Sequence, residues 1–204
     1  PIIVMGHLLG GMATLALMAW LCLRTGNYFF QPEAGHPRYD TVRVLVVIGI
    51  ILLVVQIALG GWTSSNYAAL ACPDFPSCQG QAWPPMDFAN AFTLWHPLGI
   101  NHEGGILDSA ARTAIHMTHR LGALVVFLYL GSLAGLLWLQ GSGVVRAAGM
   151  ALGCALLLQV GIGISVVLEH LPLPLAVAHN AGAALLLLTL LTVNHILHPK
   201  VSHA

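Results

Sequence analysis

Three histidines recur in one setting. His7-Leu-Leu-Gly10, His119-Arg-Leu-Gly122 and His179-Asn-Ala-Gly182 each set a glycine three residues after an imidazole, near one end of a long apolar run. Three residues along a helix advance about 4.5 Å and fall only about 60° apart around the axis. Each glycine therefore lies just below its histidine on nearly the same face. An imidazole above a position without a side chain suits a flat macrocycle, since the ring nitrogen can ligate iron and the glycine leaves room. Two such helices facing each other give a bis-imidazole haem site, and His119 and His179 form the matched pair. Imidazole is an ordinary axial ligand of haem iron, through a neutral nitrogen. A histidine inside a membrane helix can also simply hydrogen-bond its neighbours. Three at matched depth, each with its glycine, favour the ligand reading.

Other polar residues cluster near His119. Arg120 follows it directly, and a guanidinium pairs bidentately with a carboxylate such as a haem propionate. Interfacial snorkelling is the alternative; it suits Arg112 at the rim better than the deeper Arg120. His116, one turn outward, is read either as a propionate contact or second-choice ligand, or equally as an outer-loop contact or plain interface chemistry. Cys72-Pro-Asp-Phe-Pro-Ser-Cys78 suits a short loop closed by a disulfide, structural or redox-active. A zinc or copper site would need His96 and His102 to converge on the two thiolates. Cys22 and Cys154 read as inert small hydrophobes. His36, and His195, His198 and His203 as exposed tail histidines, receive no role.

The elements that position these residues are membrane helices. The chain has 204 residues, 57% hydrophobic and 7% charged, with seven basic and seven acidic residues. A soluble domain carries about 25% charged residues, so the chain reads as an integral membrane protein. Its neutrality argues against nucleic acid as a partner. Five stretches meet the bilayer-spanning length of about 20 apolar residues: roughly 2–23, 41–62, 112–138, 144–168 and 173–197. Ionisable groups inside such spans default to function. The predicted fold is all-α, a polytopic bundle of five transmembrane helices. Residues 25–40 form a linker, 63–111 a long loop rich in proline and tryptophan, and 199–204 a tail.

Arg24, Arg38, Arg43, Arg146 and Lys200 fall on one side of an alternating five-helix topology, and only Arg112 and Arg120 lie toward the other. By the positive-inside tendency the first side is cytoplasmic and the loop 63–111 faces outward. Cys72 and Cys78 then sit where oxidation is permitted. An internal repeat agrees with this topology. Gln56-Ile-Ala-Leu-Gly60 closes the second stretch and Gln159-Val-Gly-Ile-Gly163 the fourth, and each is followed by a His-x-x-Gly-Ala helix. The first helix, with His7, reads as the second member of a similar pair. The chain begins with Pro inside an apolar stretch and shows no signal-peptide pattern. It is therefore expected to be the C-terminal part of a larger protein, with residues 1–24 the last helix of an N-terminal half and 41–198 a four-helix haem-binding half.

The stretches Gly60-Gly-Trp-Thr-Ser-Ser-Asn-Tyr-Ala-Ala-Leu-Ala-Cys-Pro-Asp-Phe-Pro-Ser-Cys-Gln-Gly, Ile115-His-Met-Thr-His-Arg-Leu-Gly-Ala and Ala176-Val-Ala-His-Asn-Ala-Gly-Ala strongly resemble bacterial haem A synthase. That family also includes the mitochondrial cytochrome oxidase assembly homologues, and the resemblance runs over essentially the whole chain. It implies an eight-helix protein of two similar halves, with this chain similar to helices four to eight. It implies an oxidoreductase of a bacterial inner membrane, with loop 63–111 periplasmic, that oxidises a ring methyl of haem O to the formyl group of haem A for terminal oxidases. By the same resemblance a b-type cofactor haem lies between His119 and His179, with Gly122, Gly182, Arg120 and His116 around it. His7 matches a ligand of the substrate haem iron, and Cys72 and Cys78 match the outer-loop cysteine pair. The family's helix-two motif, a Glu shortly before a His-Arg pair, has no counterpart here, so this stretch alone is expected not to turn over. The implied partners are haem O, haem A and membrane lipid, then haem O synthase and terminal oxidase assembly factors. Glycine-rich faces suit helix contacts within or between chains equally. The runner-up function is a b-type cytochrome subunit passing electrons from quinol; a transporter with polar helix histidines is a third, without support from the long loop.

Overall fold

The computed structural model describes residues 1–26, 38–94 and 106–198. The linker around His36, the residues His96 and His102, and the tail with Lys200 and His203 lie outside the described residues. Five long helices and one short one are present: α1 (Ile2–Thr25), α2 (Arg38–Ser65), α3 (Phe88–Ala91), α4 (Ser109–Gln140), α5 (Gly143–Leu168) and α6 (Leu173–Ile196). All but α3 are long and apolar enough to cross a membrane, and no strand occurs among the described residues. The protein is a multi-pass membrane helix bundle.

Most long helices run slightly past the apolar stretches that announce them, and in α4 a capping group sets the start. Asp108 accepts from the Ala111 N–H at 2.8 Å and so starts α4 before the first spanning residue, satisfying one of the orphan donors of a helix start. Asp87 accepts from Ala89 and Asn90 N–H and starts α3. The turn between α5 and α6 places His170 (φ 59°) and Leu171 (φ 66°) in the left-handed region, which lets two long helices reverse over a few residues.

The long helices α2, α4, α5 and α6 form a ring in which each packs on two neighbours: α4 on α5, α5 on α6, α6 on α2, and α2 on α4. Among the described residues no Cα of α4 comes within 8 Å of α6. The two helices that carry His119 and His179 therefore stand opposite each other in the ring, with side chains of both in the shared core. A core of Leu53, Ile57, Leu130, Leu152, Leu186 and Leu190 closes the bundle toward the predicted cytoplasmic end. There the Arg43 guanidinium bonds the Leu197 carbonyl and pairs with Asp40, and the Tyr129 hydroxyl donates to Leu45 O at 2.8 Å, tying α4 to α2. Large apolar side chains such as Ile51, Leu124, Leu128 and Leu157 point outward, as a lipid-facing surface requires.

Helix α1 packs on the flank of α2 and α6 and buries none of its residues fully. Met5 and Leu8 lie against Gly61 of α2. At 3.6 residues per turn, His7 and Gly10 fall on the opposite face of α1. His7 is exposed, and nothing lies within 4 Å of where a Gly10 side chain would begin. His195 departs from its reading as an exposed tail residue. It is 4% exposed inside α6, edge-on to Trp20 with ring centroids 6.1 Å apart, because α6 continues past it to Ile196 and α1 covers it.

Candidate functional site

His119 of α4 and His179 of α6 are both half-buried. Each ring rests against a glycine of the neighbouring helix. A Cβ on Gly60 of α2 would meet Cε1 of His119 at 3.2 Å, and one on Gly163 of α5 would meet Cε1 of His179 at 2.8 Å. The repeat seen in the sequence thus becomes a contact made twice, α2 against α4 and α5 against α6.

The glutamines of that repeat complete the contact. Gln56 Nε2 donates to the backbone carbonyl of His119 at 2.9 Å and sits 3.0 Å from its Nδ1. Gln159 Nε2 donates to the carbonyl of His179 at 3.0 Å and sits 3.5 Å from its Nε2. The carboxamide oxygens lie where side chains of Gly122 and Gly182 would begin, 2.3 Å and 2.2 Å from the Cβ positions. Here the glycines differ from their reading as room left for a macrocycle. They make room for a glutamine of the adjacent helix. Gln56, Gln159, Gly60 and Gly163 were absent from the predicted site. Their signal was the Gln-x-x-x-Gly spacing ahead of each His-x-x-Gly, which the sequence offered only as a repeat.

Two other expected haem contacts turn toward the loop instead. Arg120 spends its terminal nitrogens on three loop carbonyls: Ser77 at 2.8 Å, Cys72 at 3.0 Å and Asp74 at 2.7 Å. Its guanidinium also stands 5.6 Å from the Phe75 ring centroid, a cation–π distance. The tight turn 72–78 aims its carbonyls inward, where they need donors, and the planar fork of an arginine supplies several at once. His116 is 3% exposed and donates Nδ1–H to the Ala68 carbonyl at 2.9 Å. It anchors the first part of the loop rather than reaching toward the paired histidines.

Cys72 and Cys78 are bonded to each other, with Cα atoms 4.5 Å apart. The bond takes both sulfurs from any zinc or copper site. Both cysteines are fully buried against Met117 of α4, so the loop is pressed onto the helix two residues ahead of His119. Asp74 organises its outer rim. It accepts from the Ser77 hydroxyl and from the N–H groups of Gln79 at 2.6 Å and Gly80 at 2.9 Å. The Ser77 hydroxyl first, then the two N–H groups, pull the Asp74 carboxyl down to about 2. Trp62 Nε1 donates to Ala91 O at 2.9 Å and joins α2 to α3.

The residues fit a haem. One imidazole stands on each of two opposite helices of the ring, each is backed by a glycine of its neighbour, and Nδ1 of His179 is buried without a hydrogen-bond partner. Fold and site together define a multi-pass membrane protein with one histidine on each of two opposite helices of a four-helix ring. Residues 1–191 match the family model described as cytochrome oxidase assembly protein. Heme A synthase of Shewanella oneidensis is 43% identical over 99% of this chain and 60% of its own length. Heme A synthase of Nitrosospira multiformis is 31% identical over 93% of the chain and 50% of its own length. Heme A synthase of Rhodospirillum centenum is 30% identical over 83% and 41%. The chain thus spans about half the length of these relatives, and it belongs to the haem A synthase family.

Proposed function

We propose that the protein acts as a haem A synthase, oxidising a ring methyl of haem O to the formyl group of haem A, with this stretch carrying a b-type cofactor haem between His119 and His179. The observation that carries the reading is the pair of imidazoles on α4 and α6, each backed by a glycine and met by a glutamine of the neighbouring helix, in a chain similar to proteins named heme A synthase. A haem held by two imidazoles takes up and passes on single electrons. The chain's own residues do the rest. Gly60 and Gly163 let α2 and α5 press against the rings, and the bundle core below keeps water from that face. Arg120 and His116 fasten the disulfide loop over the outer end of α4. His7, open on α1, is proposed to serve the substrate haem, and the loop is proposed to face the periplasm from a bacterial inner membrane. The test is to express the full-length gene, with any helices that accompany this stretch, in a host that makes haem O but no haem A and to separate the extracted haems by chromatography. Haem A is expected with the wild type and not with His119→Ala; unchanged haem O with the wild type would overturn the reading.

A further inference from the structure

The same glutamine contact occurs on two different helix pairs, and no packing requirement asks for a carboxamide in an apolar bundle. A buried amide that is imperfectly paired costs free energy. Each glutamine Nε2 bonds the histidine carbonyl and also meets a ring nitrogen, Nδ1 of His119 at 3.0 Å and Nε2 of His179 at 3.5 Å, while the oxygens Oε1 of Gln56 and Gln159 are buried without hydrogen-bond partners. A buried amide with its nitrogen at an imidazole and its oxygen unanswered, found twice, points to a role beyond packing. A ring nitrogen that binds a metal leaves the other nitrogen protonated, and the partner of that N–H fixes tautomer and ring plane. The carboxamide nitrogen lies at a ring nitrogen in both pairs and can donate to it when that nitrogen is unprotonated; a half-turn of the amide, which gives up the bond to the histidine carbonyl, would present the oxygen to a ring N–H instead.

We propose that Gln56 and Gln159 are positioning residues that set the tautomer and plane of His119 and His179, each answering the ring proton left when the imidazole ligates iron. This rests on the haem reading above. Gly122 and Gly182 belong to the device, because any larger residue there would occupy the place of the carboxamide oxygen.

The test compares Gln56→Leu and Gln159→Leu, which remove the polar end, with Gln56→Glu and Gln159→Glu, which keep the shape and offer only acceptors. In the haem-loaded protein, the Leu variants should lose haem about 10–100-fold faster and raise the midpoint potential. The Glu variants should retain haem and lower the potential, since an acceptor carboxylate makes the ligand more electron-rich. Low-spin g values should move in both sets. In haem-free protein labelled with 15N-histidine, the ring nitrogens of His119 should report one tautomer in the wild type and an averaged one in Gln56→Leu. Potentials, g values and haem loss rates equal to wild type in the Leu variants would overturn the proposal, whatever their melting temperature. The nitrogen spectra decide the glutamine separately from the haem. A colourless wild type would refute the haem reading, and unchanged tautomers in Gln56→Leu would refute the glutamine role.

Discussion

Replacing Gly163 by Ala separates the paired-histidine site from the fold that holds it. The new methyl would stand 2.8 Å from Cε1 of His179, 3.3 Å from Nδ1 and 3.7 Å from Nε2. Ordinary contact begins at 3.4 Å, so the ring must retreat by about 0.6 Å. Turning a side chain that far from its rotamer costs about 0.5–1.5 kcal/mol, and alanine in a helix interior recovers about 0.5–1 kcal/mol relative to glycine. Net stability should therefore stay within about 1 kcal/mol of wild type. A ligand must be held within about 0.5 Å of its working position, and 0.6 Å exceeds that. Gly60→Ala is the control, because its methyl would meet Cε1 of His119 at 3.2 Å and asks for a shift of only about 0.2 Å. The assay is haem per protein and the low-spin resonance spectrum of detergent-purified protein, beside a thermal melt. Gly163→Ala should melt within a few degrees of wild type yet lose haem or shift its g values clearly, and Gly60→Ala should change little. Equal spectra for the two variants, or wild-type haem content in Gly163→Ala, would refute the reasoning.

Other perturbations probe the loop and the bundle. Arg120→Ala removes three charge-assisted hydrogen bonds to loop carbonyls and should destabilise the loop by about 2–4 kcal/mol, read as faster limited proteolysis between Cys72 and Gln81; Arg120→Lys should not restore it, lacking the planar fork. Gly149→Ala would set a methyl 2.7 Å from the Trp138 backbone nitrogen and 2.9 Å from the Ala134 carbonyl, so it should lower stability by about 1–3 kcal/mol in a thermal melt. Asp74 has a folded pKa of about 2, below its ordinary 3.8, so its contribution is present above about pH 4 and lost as pH falls toward 2. Amide exchange at Gln79 and Gly80 should accelerate across that window in the wild type, and Asp74→Asn should be fast and flat with pH.

How much of this was legible in the sequence differs by level. The five spans were, because apolar length is the physical requirement for crossing a bilayer. The two His-x-x-Gly helices were as well, since the spacing puts both groups on one face. The service of Gly122 was not: the atom that occupies its space belongs to Gln56, more than sixty residues away, and only tertiary packing brings them together. Arg120 was drawn to the wrong acceptor for a related reason. Its guanidinium could answer any cluster of oxygens, and the inward carbonyls of the 72–78 turn exist only once the loop has folded. The four-residue helix α3 carries no periodicity to read, and its only local mark is the cap Asp87. His195 looked like a tail residue because its burial comes from Trp20 at the other end of the chain.

The central claim is that His119 and His179 jointly hold a haem between α4 and α6. The most direct measurement is the reduced-minus-oxidised optical spectrum of the purified protein beside His119→Ala and His179→Ala. A low-spin b-type spectrum in the wild type, lost in either variant while the helical circular dichroism persists, is the expected result. A colourless wild type, or a spectrum indifferent to both substitutions, would contradict it and leave the paired histidines as helix-packing groups.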